Sequence, residues 1–465
     1  MKSISTLAFA ASFAFTAAAV ANDGDVDTTF GVNGIARANL INTTNTFNGG
    51  PVVQPDGKFV VCNGITDNGP SGSDFYVARF TADGQLDPDF SFDGSVTIDF
   101  DGGTGGDQCS AVALQSDGKV VVAGFTQTAD ANSQDFAIAR LNADGTLDTT
   151  FGNGTGKTTV GFDLPGGGND APTSIAIQPD GKIVVAGAAA TSNGSQVAVV
   201  RLATDGSRDS SFNLTGRVTF GFGISGAFDE SDSAYGVAID SANRIVLAGN
   251  ADYSDGTNSI GQFAAARLLP NGQFDANFHA NGRTTIPFDP GTGISGALCY
   301  GMLQQSDDKI VLLGGANSSP STPNTDSAAV RLLPDGSLDG GFGSGGRTLI
   351  PYDLAPNGQD ILLGAVQQNN GDLVLVGGAF DSVSGVTLST ATRLHADGTL
   401  DGSFGNAGKK TYDFAFGGVN DQQLFRGVAL QGTQIIANGI AYFPGGIDLY
   451  SVRLDVDLIF ADGFE

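Results

Sequence analysis

The densest group of side chains able to hold a cation lies between residues 229 and 255: Asp229, Glu230 and Asp232, followed by Asp252 and Asp255. Carboxylate oxygens are the ligands that Ca²⁺ prefers, so these five residues, if loops bring them together, form the candidate metal site, and Ca²⁺ is the one cofactor the sequence admits. The spacing matches no EF-hand loop, and a solvated Asp-rich loop is the competing reading. Other chemistry is hard to find. The chain has no GxSxG elbow, no GKS or GKT phosphate loop, no HExxH and no Cys/His ligand cluster. The two histidines, His279 and His395, both fall in turn slots of a repeating pattern, and the Gly-rich run Gly152–Gly156 does not sit between a strand and a helix. Tryptophan is absent, which weakens sugar-stacking, although 32 Phe and 8 Tyr are present. No residue is assigned a catalytic role.

Acidic residues number 49 against 22 Lys plus Arg, a formal charge of -27. Such a surface repels nucleic acid and anionic membranes, although most of the Asp residues sit in turn-forming contexts. Met1 and Lys2 precede an apolar stretch, Ile4 to Val20, that ends in Ala19-Val20-Ala21. This is the pattern of a secretory leader over 1–21, cut before Asn22. No later run is long and apolar enough for a spanning helix. Cys109 and Cys299 occupy equivalent positions of different repeats and cannot meet; only Cys62 and Cys109, in neighbouring repeats, are candidates for a bridge, and the favoured reading of the cysteines is small buried thiols.

The elements that must position any site come from a period of about 62 residues. A first anchor, apolar strand, DG-type turn, apolar strand, has turn positions Gly57, Gly118, Gly181, Asn243, Asp308, Gly371 and Gly432, 61 to 65 residues apart. A second is an Arg that closes a strand: Arg79, Arg140, Arg201, Arg267, Arg331, Arg393 and Arg453. A third is the Phe of a DxxF motif, from Phe30 and Phe90 to Phe404. Six of the arginines have an Asp eight residues on, from Arg79 with Asp87 to Arg393 with Asp401. The spacing predicts charge-assisted pairs across one turn; a ring of arginines for an anionic ligand is the alternative. Arg453 has Ala461 at that offset, so its predicted partner is Asp27.

Four strands fit each period, represented by 110–115, 119–124, 135–141 and 156–162. The second is continuously apolar, as expected of a strand covered on both faces. The segments LDTTFG, ALQSDGKVVVAG and DFAIARLNADG resemble the bacterial delta-60 repeat family over about residues 23–454. That resemblance implies an exported protein of propeller architecture and carries no catalytic residues. Departures from DGK at Ser241–Arg244, Asp307–Lys309 and Gln431–Thr433 touch only those turns.

The expected fold is therefore all-β: a seven-bladed β-propeller of four-stranded antiparallel blades over 22–455, closed by the N-terminal strand (34–40) completing the last blade beside 447–454. The DGK and ADGxLD turns share one face, and variable loops the other. Residues 456–465 form a short tail, read as a sorting tag or as a decayed repeat start. The expected function is a non-enzymatic, monomeric, exported scaffold, at the surface or in the periplasm of a Gram-negative bacterium, that binds a protein, glycan or cation through those loops. The alternatives are a metal-dependent hydrolase or lyase, and a purely structural envelope protein.

Overall fold

The computed structural model describes residues 23–38, 49–66, 72–100, 102, 105–127, 133–223, 230–254, 259–288, 296–317, 324–354, 358–414, 416, 422–443 and 446–456. Among the described residues there are twenty-eight strands and one 3₁₀ turn, Gly152–Gly154. After β1 (Ile35–Arg37) the strands come in antiparallel groups of four. These are β2–β5 (Gly49–Val53, Phe59–Thr66, Ser73–Phe80, Ser95–Ile98), β6–β9 (Asp107–Leu114, Val120–Gln127, Gln134–Leu141, Lys157–Val160) and β10–β13 (Asp170–Ile177, Ile183–Thr191, Gly194–Leu202, Arg217–Phe220). Next come β14–β17 (Glu230–Ile239, Ile245–Ser254, Ser259–Leu268, Arg283–Ile286), β18–β21 (Ala297–Gln304, Ile310–Asn317, Thr325–Leu332, Arg347–Ile350) and β22–β25 (Gln359–Gln367, Leu373–Asp381, Val386–Leu394, Lys409–Tyr412). The last group, β26–β28 (Gln422–Gln431, Gln434–Phe443, Gly446–Asp455), has only three strands of its own. Its fourth is β1, which pairs with β28 in the register Ile35↔Val452.

The second strand of each unit is buried on both faces, and the alternation of its side chains assigns them to different cores. Val120 and Val122 pack toward the preceding unit, Val121 and Ala123 toward the following one. Each core layer is shared by two neighbouring units. One of them sets Phe59, Val61 and Tyr76 of the first unit against Ile436, Ile440 and Leu449 of the last, with Phe30 and Ala36 between.

A side-chain knot repeats at every such boundary. Arg140 Nε donates to Asp148 Oδ2 at 2.7 Å, its guanidinium lies over the Phe151 ring at 4.7 Å, and Nη1 reaches the Thr204 carbonyl of the next unit. The same pairing joins Arg79 to Asp87, Arg201 to Asp209, Arg267 to Asp275, Arg331 to Asp339 and Arg393 to Asp401, at 2.6–2.9 Å. At the chain's ends Arg453 Nε donates to Asp27 at 2.9 Å, covers Phe30, and reaches back to the Ala82 carbonyl of the first unit. Asp27, Asp87, Asp148, Asp209, Asp275 and Asp401 are held below the usual carboxylate range. Burial raises Asp27, but the Thr29 hydroxyl and Arg453 outweigh it and hold the group at about 2.

The departures from DGK keep the turn: Asn243 (φ 61°) and Asp308 (φ 62°) adopt the left-handed conformation that Gly118 holds at 84°, as Asn and Asp tolerate. His279 is likewise a turn residue (φ 42°), its N–H bonded to the Asp335 carbonyl. One expectation fails. Cys62 and Cys109 form a disulfide, with Cα atoms 5.8 Å apart, because β3 and β6 press their facing side chains into one core layer. Cys299 alone is a buried thiol, pushed up to about 12 by burial. Among the described residues no helix is long and apolar enough to cross a membrane. The segments assigned as leader and as most of the tail lie outside the described residues, whereas Val456 is fully buried and its carbonyl accepts from Arg393.

Candidate functional site

The first strand of every unit carries a register break one residue long, for example between Cys109 and Ala111 or between Phe425 and Gly427. A β-bulge of this kind turns one side chain out of the ladder. The residues so released are Ser110, Thr173, Tyr235, Tyr300, Leu363 and Arg426, with Gly50-Pro51 in the first unit. All of them line a single open cavity of about 570 Å³ between the first strands of all the units. The small residues beside the bulges let these strands approach: a Cβ on Gly427 would stand 2.3 Å from the Gly50 Cα.

The ring of bulge residues is uneven. Gly50, Pro51, Ser110 and Thr173 are small, and Thr173 is occupied by a 2.6 Å bond to the Ala234 carbonyl. The opposite arc carries two tyrosines in edge-to-face contact, with centroids 5.8 Å apart, then Leu363 and Arg426. Burial raises the Tyr235 phenol, with the charges of Tyr300 and Asp252 adding to it. Burial also raises Tyr300, further raised by Asp252 and lowered by Arg426. Arg426 is lowered by burial and partly restored by the Tyr442 hydroxyl, to which it is hydrogen-bonded. Its Nε is buried without an acceptor among the described residues.

Of the five acidic residues proposed from sequence, Asp229 and Asp255 lie outside the described residues, as does the side chain of Glu230. The remaining two are not brought together. Asp232 pairs with Ala251 and Asp252 with Ser231, so the two carboxylates leave the sheet on opposite faces. Asp232 is buried and accepts the Phe222 N–H at 2.7 Å. Asp107, Asp170 and Asp360 perform the same service for Phe100, Phe162 and Tyr352, which makes this a repeat feature. Asp252 is half-buried, has one oxygen without a partner among the described residues, and is pushed by burial to about 6. His395, placed in a turn from sequence, sits 3.4 Å from Asp372, which stands at the DGK-lysine position of its unit, and 3.8 Å from Asp401.

The bulge residues escaped sequence reasoning because a one-residue bulge leaves no mark on composition. A signal was nevertheless present: one position per repeat runs through Ser, Thr, Tyr, Tyr, Leu and Arg while the residue after it stays small (Ala111, Ser174, Gly236, Gly301, Gly364, Gly427).

Six segments, 54–90, 115–151, 178–212, 243–278, 305–342 and 368–404, match the family model described as a domain of unknown function (DUF5122), beta-propeller. No curated protein matches the chain. Among solved structures it is similar to the polysaccharide lyase Uly1, at 12% identity and a TM-score of 0.47, over 90% of this chain and 91% of that one. A protein of unknown function from Dyadobacter fermentans is 10% identical, with a TM-score of 0.42, over 92% and 100%. The sialidase of Trypanosoma rangeli is 9% identical, also at 0.42, over 90% of this chain but 59% of that one. Repeat pattern, strand pairing and matched segments agree: the chain is a β-propeller repeat protein.

Proposed function

We propose that this is an exported, non-enzymatic binding scaffold, a seven-bladed propeller of the delta-60 type that takes a sugar unit of a glycan into its central channel. Closure of the ring is supported by the contacts from Arg453 and Phe30 to Ala82 and Gly84 of the first unit. It is also supported by the number of matched segments. Each runs from the DGK turn to the DxxF Phe, and a seventh would be split between 431–456 and 23–30. The disulfide accords with an oxidising compartment.

The observation that carries the reading is the bulge ring. A fixed backbone presents one variable side chain per unit to a cavity of about 570 Å³, within the size range of small-molecule sites. Its hydroxyls and tyrosine rings suit a polyhydroxylated ring. The lining side chains offer contacts to such a ring. The test is a glycan array probed with wild type and with Ser110→Trp and Leu363→Trp, each of which fills the channel. Binding is expected for wild type and lost in both variants, with thermal unfolding unchanged. Binding that survives both fillings moves the site to the loops, and release of cleaved product from a bound glycan overturns the non-enzymatic reading.

A further inference from the structure

The knot arginines each face an aspartate, but Arg426 does not. Among the described residues no carboxylate lies within ion-pairing distance of it, in a chain with 49 acidic and 22 basic side chains. Its partner is the neutral Tyr442 hydroxyl, and its buried Nε has no acceptor. A buried donor left unmet is costly, more so on a charged group, and a guanidinium fork is shaped to receive the two oxygens of a carboxylate. Beside it on the same wall stand Leu363, Tyr300 and Tyr235, an apolar and aromatic surface for the body that carries such a group, and the opposite arc is small enough to leave it room.

We propose that the channel is a carboxylate receptor whose anion-binding group is Arg426, and that the sugar it takes is a uronate lying against Tyr300 and Tyr235. This rests on the reading of the channel as the ligand site.

The experiment uses the full chain, with sodium glucuronate and glucose as probes, followed by calorimetric titration and thermal unfolding. Glucuronate is expected to bind saturably and raise Tm, whereas glucose binds at least about tenfold more weakly. Arg426→Gln is expected to remove the difference between the two sugars, and Arg426→Lys to retain part of it. If Arg426→Gln does not fold, the wild-type comparison of the two sugars still decides. Equal affinity for both, blocked by Ser110→Trp, leaves the channel reading standing and overturns the carboxylate receptor. Glucuronate binding that ignores Ser110→Trp overturns both, and no response to glucuronate overturns the receptor.

Discussion

At the level of single residues, the Arg–Asp–Phe knot has the clearest energetic consequence. Arg140 is almost fully buried, and Asp148 neutralises it while also accepting from Lys119 and Thr150. Removing one partner of a buried pair leaves an uncompensated charge, which costs about 3–5 kcal/mol. Asp148→Asn is therefore expected to lower the stability measured by urea unfolding by that order, whereas Asp144→Asn, on an exposed turn, is expected to change it little. This knot was legible in the sequence, because the offset of eight recurs and charge needs a partner wherever strands are covered on both faces. The role of one acidic residue of the fourth unit was not legible for a related reason: burial cannot be read from composition, and Asp232 holds the Phe222 N–H. Asp232→Ala is expected to destabilise by about 1–3 kcal/mol. Millimolar Ca²⁺ is expected to leave the Tm of the wild type unchanged, and a calcium-dependent rise would support the five-carboxylate metal site.

At the level of elements, neighbouring units are joined by shared core layers, and one boundary carries a covalent tie. Cys62 and Cys109 close a loop of 47 residues between β3 and β6. The double variant Cys62→Ser, Cys109→Ser is expected to lose roughly 2–4 kcal/mol of stability to urea relative to wild type. Reduction of the wild type should reproduce the loss. Strand number and order were readable from the alternation of turns and apolar runs. The bulge and the disulfide were not, since both depend on which face of a strand meets which neighbour, and a single inserted residue reverses that assignment.

At the level of the whole molecule, two sets of carboxylates oppose one another. Burial, together with neighbouring aspartates for the first and last, raises Asp170, Asp252 and Asp360 to about 6. The folded chain therefore binds more protons than the unfolded one between about pH 4 and 6, so their stabilisation is complete below that window and lost as pH rises through it. Asp27 and Asp209, held at about 2, contribute above about pH 4 and fail as pH falls toward 2. Urea midpoints are expected to be highest near about pH 4–5 and to decline toward 7. Asp252→Asn with Asp360→Asn should flatten that decline, and an equal decline in the double variant would refute the assignment. Deleting residues 23–37 is expected to expose the β28 edge and give oligomers or aggregates in size-exclusion chromatography. The pairing of Asp27 with Arg453 spans 426 residues. A polypeptide is made from its amino end, so the segment that supplies Asp27, Phe30 and β1 exists long before β28 does, and its apolar side chains have no home in the interval. Pairing β1 with β28 is then a length check on biosynthesis: a chain whose translation stops short of residue 446 leaves β1 without its partner strand, and an unmatched edge is a feature by which chaperones and proteases recognise an unfinished product.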